Sequence, residues 1–110
     1  MIYDVRITTM GIESLYHTED VLNLLNWLTD YSEVLPDFKD SLIRYSLFDT
    51  IEIGRKVYKL HHTALYGGYQ SWYSDLWLPY SGKFGDGLVQ HYNADKNKHS
   101  HRIAYYIEVK

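Results

Sequence analysis

Alternation is the feature that most constrains this chain. In several short stretches apolar side chains recur at every second position, and two other stretches repeat at helical spacing. Met1–Thr9 sets Tyr3, Val5 and Ile7 on one side against Ile2, Asp4, Arg6 and Thr8 on the other, so the first set is expected to face a core. Gly11 breaks that pattern. From Ser41 to Leu60, Ile43, Tyr45 and Leu47 alternate with polar residues. Asp49-Thr50 and Gly54-Arg55 look like turns around Ile51 and Ile53, and Val57–Thr63 continues as a strand. These read as an antiparallel meander of three short strands. Gly82, Gly85 and Gly87 punctuate a loop. Leu88–Tyr92 and His101–Val109 flank the polar run Asn93–Lys98 and read as a hairpin.

The first helical stretch spans about residues 19–32. Val21, Leu24, Leu25, Leu28 and Tyr31 form its stripe, widened by Leu22 and Trp27. Thr18 is the expected N-cap, with Glu19 and Asp20 in a first turn where the helix dipole favours acids. Pro36 forbids continuation. The second stretch places Tyr69, Trp72, Tyr73, Leu76, Trp77 and Tyr80 at helical intervals before Pro79 and Gly82 end it. The expected fold is α+β: one domain over residues 1–110, an antiparallel sheet of about five or six strands packed by one or two helices.

Composition narrows the chemistry. Twelve Tyr, three Trp and three Phe supply enough apolar area for a core without crosslinks. There is no cysteine, which removes disulfides, thiolate ligands and thiol nucleophiles. No signal peptide is legible and no apolar run approaches the roughly 18–20 residues that span a bilayer, so the expected location is cytoplasmic, with no membrane partner. Charge is uneven. Ten acids against three bases leave residues 1–54 at −7, and four against eight leave residues 55–110 at +4. Such asymmetry points to a polar partner, unless folding mixes the two halves.

Three sites compete. The acidic stretch Glu13–Asp40 includes Asp30, Glu33, Asp37 and Asp40. Asp30 and Glu33 stand near a helix C-terminus, against the dipole. A surface of this kind, flanked by the rings of Tyr69, Trp72, Tyr73 and Trp77, suits a protein partner with a basic surface. The corresponding function is a small inhibitor or neutralising protein, of the kind bacteria use as immunity factors and phages use against host defences. The plain alternative is a solvated acidic surface and a helix packed by its aromatic face.

The second site gathers histidines. His61, His62, His91, His99 and His101 sit at three places that strand pairing brings together in principle. Three imidazoles and a water would hold a zinc-like ion. Two imidazoles with Lys56, Lys59, Lys98 or Arg102 would cleave an RNA phosphodiester. No HExxH spacing supports the metal, and exposed histidines beside a lysine-rich turn are ordinary. No cofactor is expected. The third reading is a single-stranded nucleic-acid binder using Tyr66–Phe84. Between Tyr66 and Gly82, however, no Lys or Arg interleaves with the rings, and the net charge is −3.

Overall fold

The computed structural model describes residues 1–29, 47–65, 76–93 and 101–110. Among them are seven strands, β1 (Tyr3–Thr9), β2 (Ile12–Thr18), β3 (Thr50–Ile53), β4 (Lys56–Leu65), β5 (Leu76–Gly82), β6 (Gly85–Asn93) and β7 (His101–Glu108), and one helix, α1 (Val21–Thr29). All seven strands join one antiparallel sheet in the order β2-β1-β3-β4-β7-β6-β5. With one nine-residue helix beside seven strands, the architecture is mostly β rather than the expected α+β.

The inner face follows from the period of two. Val5, Ile7 and Thr9 of β1 are buried, as alternation predicts, whereas Tyr3 at the strand's end is 39% exposed. Register carries the same face across Ile51, Tyr58, Tyr106, Leu88 and Trp77. Helix α1 lays Leu25 onto it, with Val21, Leu22, Leu24 and Leu28 packed around. Trp27 does not join them and stays 47% exposed. Packed rings close the core: Phe48 stacks on Trp77 at 5.7 Å and 15°, and Trp77 meets Tyr106 at 5.1 Å with the rings tilted by 39°. Each such pair adds about 0.5–1.5 kcal/mol beyond area burial. The Trp77 backbone N–H donates to Asn26 Oδ1 at 2.9 Å, tying helix to edge strand.

Several expectations change. The cap of α1 is Asp20, whose Oδ1 accepts the Asn23 N–H at 3.1 Å. Thr18, two residues earlier, instead accepts from the Asp20 N–H. Residues 30–32 of the expected helix lie outside the described residues. So do Ile43 and Tyr45, while Leu47 precedes β3 without belonging to a strand. Thr50 begins β3 instead of turning. The neighbour of β3 on its far side is β1, with Val5 opposite Ile53. A strand not foreseen, β2, follows Gly11 in a two-residue hairpin.

The larger correction is the second helix. Residues 69–75 lie outside the described residues, and Leu76–Gly82 is a strand. Trp77 and Pro79 fall on one face and Leu78 and Tyr80 on the other, so Trp77 and Tyr80, which would share a helix face, are divided between the two sides of the sheet. Aromatic side chains favour strands, and Pro79 is tolerated because β5 is an edge. The glycine loop shrinks to a tight hairpin. Gly82 opposes Gly85 around Lys83-Phe84.

At the β1–β2 turn both Met10 (φ 51°) and Gly11 (φ 80°) are left-handed. That suits the twist of a two-residue hairpin but strains a residue with a side chain. The Met10 N–H donates to Asp49 Oδ2 at 2.9 Å, which helps hold it. Met10→Asn, a residue at ease in this conformation, should raise unfolding free energy by about 0.5–1 kcal/mol in urea titration. Trp77→Ala should lower it by about 3–5 kcal/mol.

Candidate functional site

On a regular strand successive side chains point to opposite faces. His61 and His62 do not. Leu60 opposes Tyr106 and His62 opposes Tyr105, so β4 contains one unmatched residue, His61. This bulge brings two consecutive imidazoles to the outer face, with Nδ1 atoms 2.7 Å apart. A ring cluster surrounds them. Phe84, carried by the β5–β6 turn, lies 5.0 Å from His61, 4.5 Å from His62 and 5.2 Å from Tyr105. His62 stacks on Tyr105 at 4.8 Å and 20°, and Tyr80 meets Tyr105 edge-on at 5.2 Å. Beneath them Gly87 opposes Tyr80. A Cβ at position 87 would meet the Tyr106 carbonyl, so only glycine lets the backbones approach there. His61 is exposed, and the other four rings are half-buried.

The charges sort by face. On the outer side, β2, β1 and β3 hold Asp4, Arg6, Glu13, His17 and Glu52, and two polar pairs form among them. The Arg6 Nε lies 3.3 Å from a Glu13 carboxylate oxygen, and the His17 Nδ1 lies 2.7 Å from Asp4. Across β4, β7, β6 and β5 the same side holds two ionised side chains among the described residues, Lys59 and Lys83. The Lys83 Nζ sits 5.0 Å from the Phe84 ring centroid, a cation–π contact of about 0.5–1 kcal/mol at an exposed site. Asp86 and Glu108 belong to the inner side. There they stand near Tyr58, and Asp86 accepts a hydrogen bond from the Ser81 hydroxyl at 2.8 Å.

The two imidazoles share a hydrogen bond, which needs one donor and one acceptor. Two nitrogens on a tetrahedral zinc would stand about 3.3 Å apart, so 2.7 Å is proton sharing and not a ligand pair. His91 is buried on β6 opposite Ile103, about 10 Å across the sheet from the row of His62. The backbone of His101 lies four residues from Tyr105, about 13 Å along β7. His99 lies outside the described residues. Strand pairing therefore brings together His61 and His62 and leaves His91 and His101 apart from them. Among the described residues no three His, Cys, Asp or Glu groups gather as a metal site. The cations proposed for phosphodiester cleavage are divided too. Lys59 is on the outer side, whereas register puts Lys56 and Arg102 on the inner side. Lys98 lies outside the described residues.

Of the proposed binding residues, Asp30, Glu33, Asp37, Asp40, Tyr69, Trp72 and Tyr73 lie outside the described residues. Trp77 is 1% exposed and belongs to the core, not to a surface. Tyr105 and Lys83 carried signals that went unread. Ile103, Tyr105 and Ile107 alternate along β7, and Lys83-Phe84 between two glycines is the mark of a hairpin tip.

Near one end of the sheet an open hollow of about 540 Å³ is lined by Asp4, Arg55, Lys56 and Tyr58, among others. No helix among the described residues is long and apolar enough to cross a membrane. Comparison with protein-family models, with curated proteins and with solved structures yields no match.

Burial raises the Tyr58 hydroxyl above the usual tyrosine range, and the charges of Glu108 and Asp86 push the same way. A phenol whose folded-state pKa is raised binds its proton more tightly folded than unfolded. The stability this contributes is present below about pH 10 and is lost as pH rises through the folded value. Tyr58→Phe should therefore flatten the fall of stability above about pH 10, read by urea titration across alkaline pH.

Proposed function

We propose that this chain is a protein-binding module that docks its partner on the outer face of β4-β7-β6-β5. One observation carries the reading. Tyr80, Phe84 and Tyr105 gather around the His61–His62 bulge on the face opposite the core cluster, where they stay half-buried beside the buried Val89. Rigid aromatic rings with part of their surface in water are the usual anchors of protein interfaces, and burying one contributes about 2–4 kcal/mol. The matching surface is apolar at its centre, with carboxylates placed to meet Lys59 and Lys83.

Magnitudes separate this from the other two readings. Stacking of unpaired bases on the rings is chemically reasonable. Two lysines, however, give a salt exponent of only about 1.4 on a single strand, whereas nucleic-acid binders make roughly six to ten phosphate contacts. Catalysis would draw on imidazoles already joined to each other through Nδ1, which occupies the ring nitrogen that each would use on a substrate from that side. The role that fits is occupancy: a small protein that inhibits or neutralises by covering a partner surface. The acidic stretch with Asp30, Glu33, Asp37 and Asp40 supports the same role from sequence and would meet a basic region of the partner.

A photo-crosslinking residue at position 83 identifies the partner, and calorimetric titration with that purified partner gives the affinity. The Phe84→Ala, Tyr105→Ala double variant should raise Kd by about 30- to 1,000-fold while keeping the wild-type circular dichroism. An unchanged Kd refutes this face. Tight binding of single-stranded oligonucleotides, with a steep salt dependence, would transfer the assignment to nucleic acid.

A further inference from the structure

The two edges of the sheet are built differently. Edge strand β5 has Pro79 near its middle, which removes a backbone donor and blocks extension. Edge strand β2 has no Pro, Gly, Lys or Arg in its seven residues, Ile-Glu-Ser-Leu-Tyr-His-Thr. These are devices that commonly blunt an edge. Two apolar side chains of β2, Ile12 and Leu15, are each 54% exposed. The same hairpin exposes Met10 at 57% and Ile2 at 64%.

Backbone parity fixes how another strand would add. Thr9 and Ile12 close a two-residue hairpin, so they exchange backbone hydrogen bonds, and bonded pairs alternate from there. The peptide groups of Ile12, Ser14, Tyr16 and Thr18 turn toward β1. Those of Glu13, Leu15 and His17 turn away from the sheet.

We propose that β2 is the interface of a twofold dimer, in which a second copy of this chain pairs its own β2 antiparallel with the axis at Leu15. This goes beyond the ring-face reading and does not depend on it. Centring on Leu15 is the register that overlaps all seven residues, and it sets outward peptide groups against outward peptide groups. The side chains agree with it. Glu13 of one copy stands opposite His17 of the other, a carboxylate facing an imidazole, twice by symmetry, with Leu15 against Leu15 between them. Within each copy Glu13 also meets Arg6 and His17 meets Asp4. On the inner side Ser14 meets Tyr16, and Ile12 meets Thr18. Hydrogen-bonding and apolar pairs directly across an antiparallel ladder are each stabilising. A shift of two residues would set Glu13 against Leu15 and remove both carboxylate–imidazole pairs. The strand is thus complementary to itself, as an isologous interface requires. The described strands of the two copies become one sheet of fourteen with Pro79 on both outer strands, so assembly stops at two copies.

Sedimentation velocity from low micromolar to submillimolar protein tests this. The expected result is a reversible dimer. Leu15→Lys places two ammonium groups across the axis and should weaken self-association at least about tenfold, with the circular dichroism unchanged because Leu15 is an exposed position. Glu13→Lys should also weaken the dimer, and adding His17→Glu should restore it, since the swap rebuilds the cross-axis pair. A wild-type chain monomeric at every concentration overturns the proposal. So does a Leu15→Lys protein that dimerises like wild type, or a higher oligomer.

Discussion

A sheet has two faces, and here the described residues supply one short helix to cover them. Nine residues of helix extend about 13.5 Å, whereas seven strands span about 29 Å. The arrangement of side chains follows from that shortfall. The inner face takes the helix stripe and the stack of Phe48, Trp77 and Tyr106. The outer face has to remain compatible with water, and it does so in two ways. On β2, β1 and β3 it holds the Arg6–Glu13 ion pair, the Asp4–His17 hydrogen bond and Glu52. On β4, β7, β6 and β5 it is covered by rings that pack edge-on and stacked, shielding the strands beneath.

The ring face depends on one extra residue. Without the unmatched His61, His62 and the residue before it would point to opposite sides, and the imidazole pair beside Phe84 would not form. Bulges of this kind recur where a strand must redirect a side chain for use. The bulge also faces the Lys83-Phe84 turn, whose ring crosses from β5–β6 to meet β4. Four strands and a hairpin tip thereby contribute to a single patch through side chains far apart in the chain.

Much of the strand content was legible because alternation is a local signal. Val5 and Ile7, Ile51, the Gly54-Arg55 turn and the β6–β7 pairing were all readable on that basis. The second helix misled because Trp77 and Tyr80 satisfy three-residue spacing, while Leu76–Tyr80 is a short unbroken apolar run that fits a strand equally well. The burial that separates these patterns is set by neighbours distant in sequence. The cap moved from Thr18 to Asp20 because either side chain accepts an amide hydrogen bond, and the helix start decides between them. The site was less legible. Rings and bases looked segregated along the chain, yet a sheet interleaves residues from different strands, and that is how Lys59 and Lys83 come to share a face with Tyr105. The reading of His61, His62, His91 and His101 as one group assumed a common row that register does not provide.

The place of β3 between β1 and β4 bears on how quickly the chain finds its fold. The hairpins β1–β2, β3–β4 and β5–β6 each close through two residues, and such units form within about 1–10 μs. Joining them is a different matter. Val5 must find Ile53, and Tyr58 must find Glu108, across loops of roughly fifty residues. Closing such loops costs entropy before any ladder repays it, which places the chain among topologies that fold in milliseconds to seconds. Throughout that search three preformed hairpins carry unsatisfied strand borders, so kinetic competition between docking and aggregation is a property of this strand order.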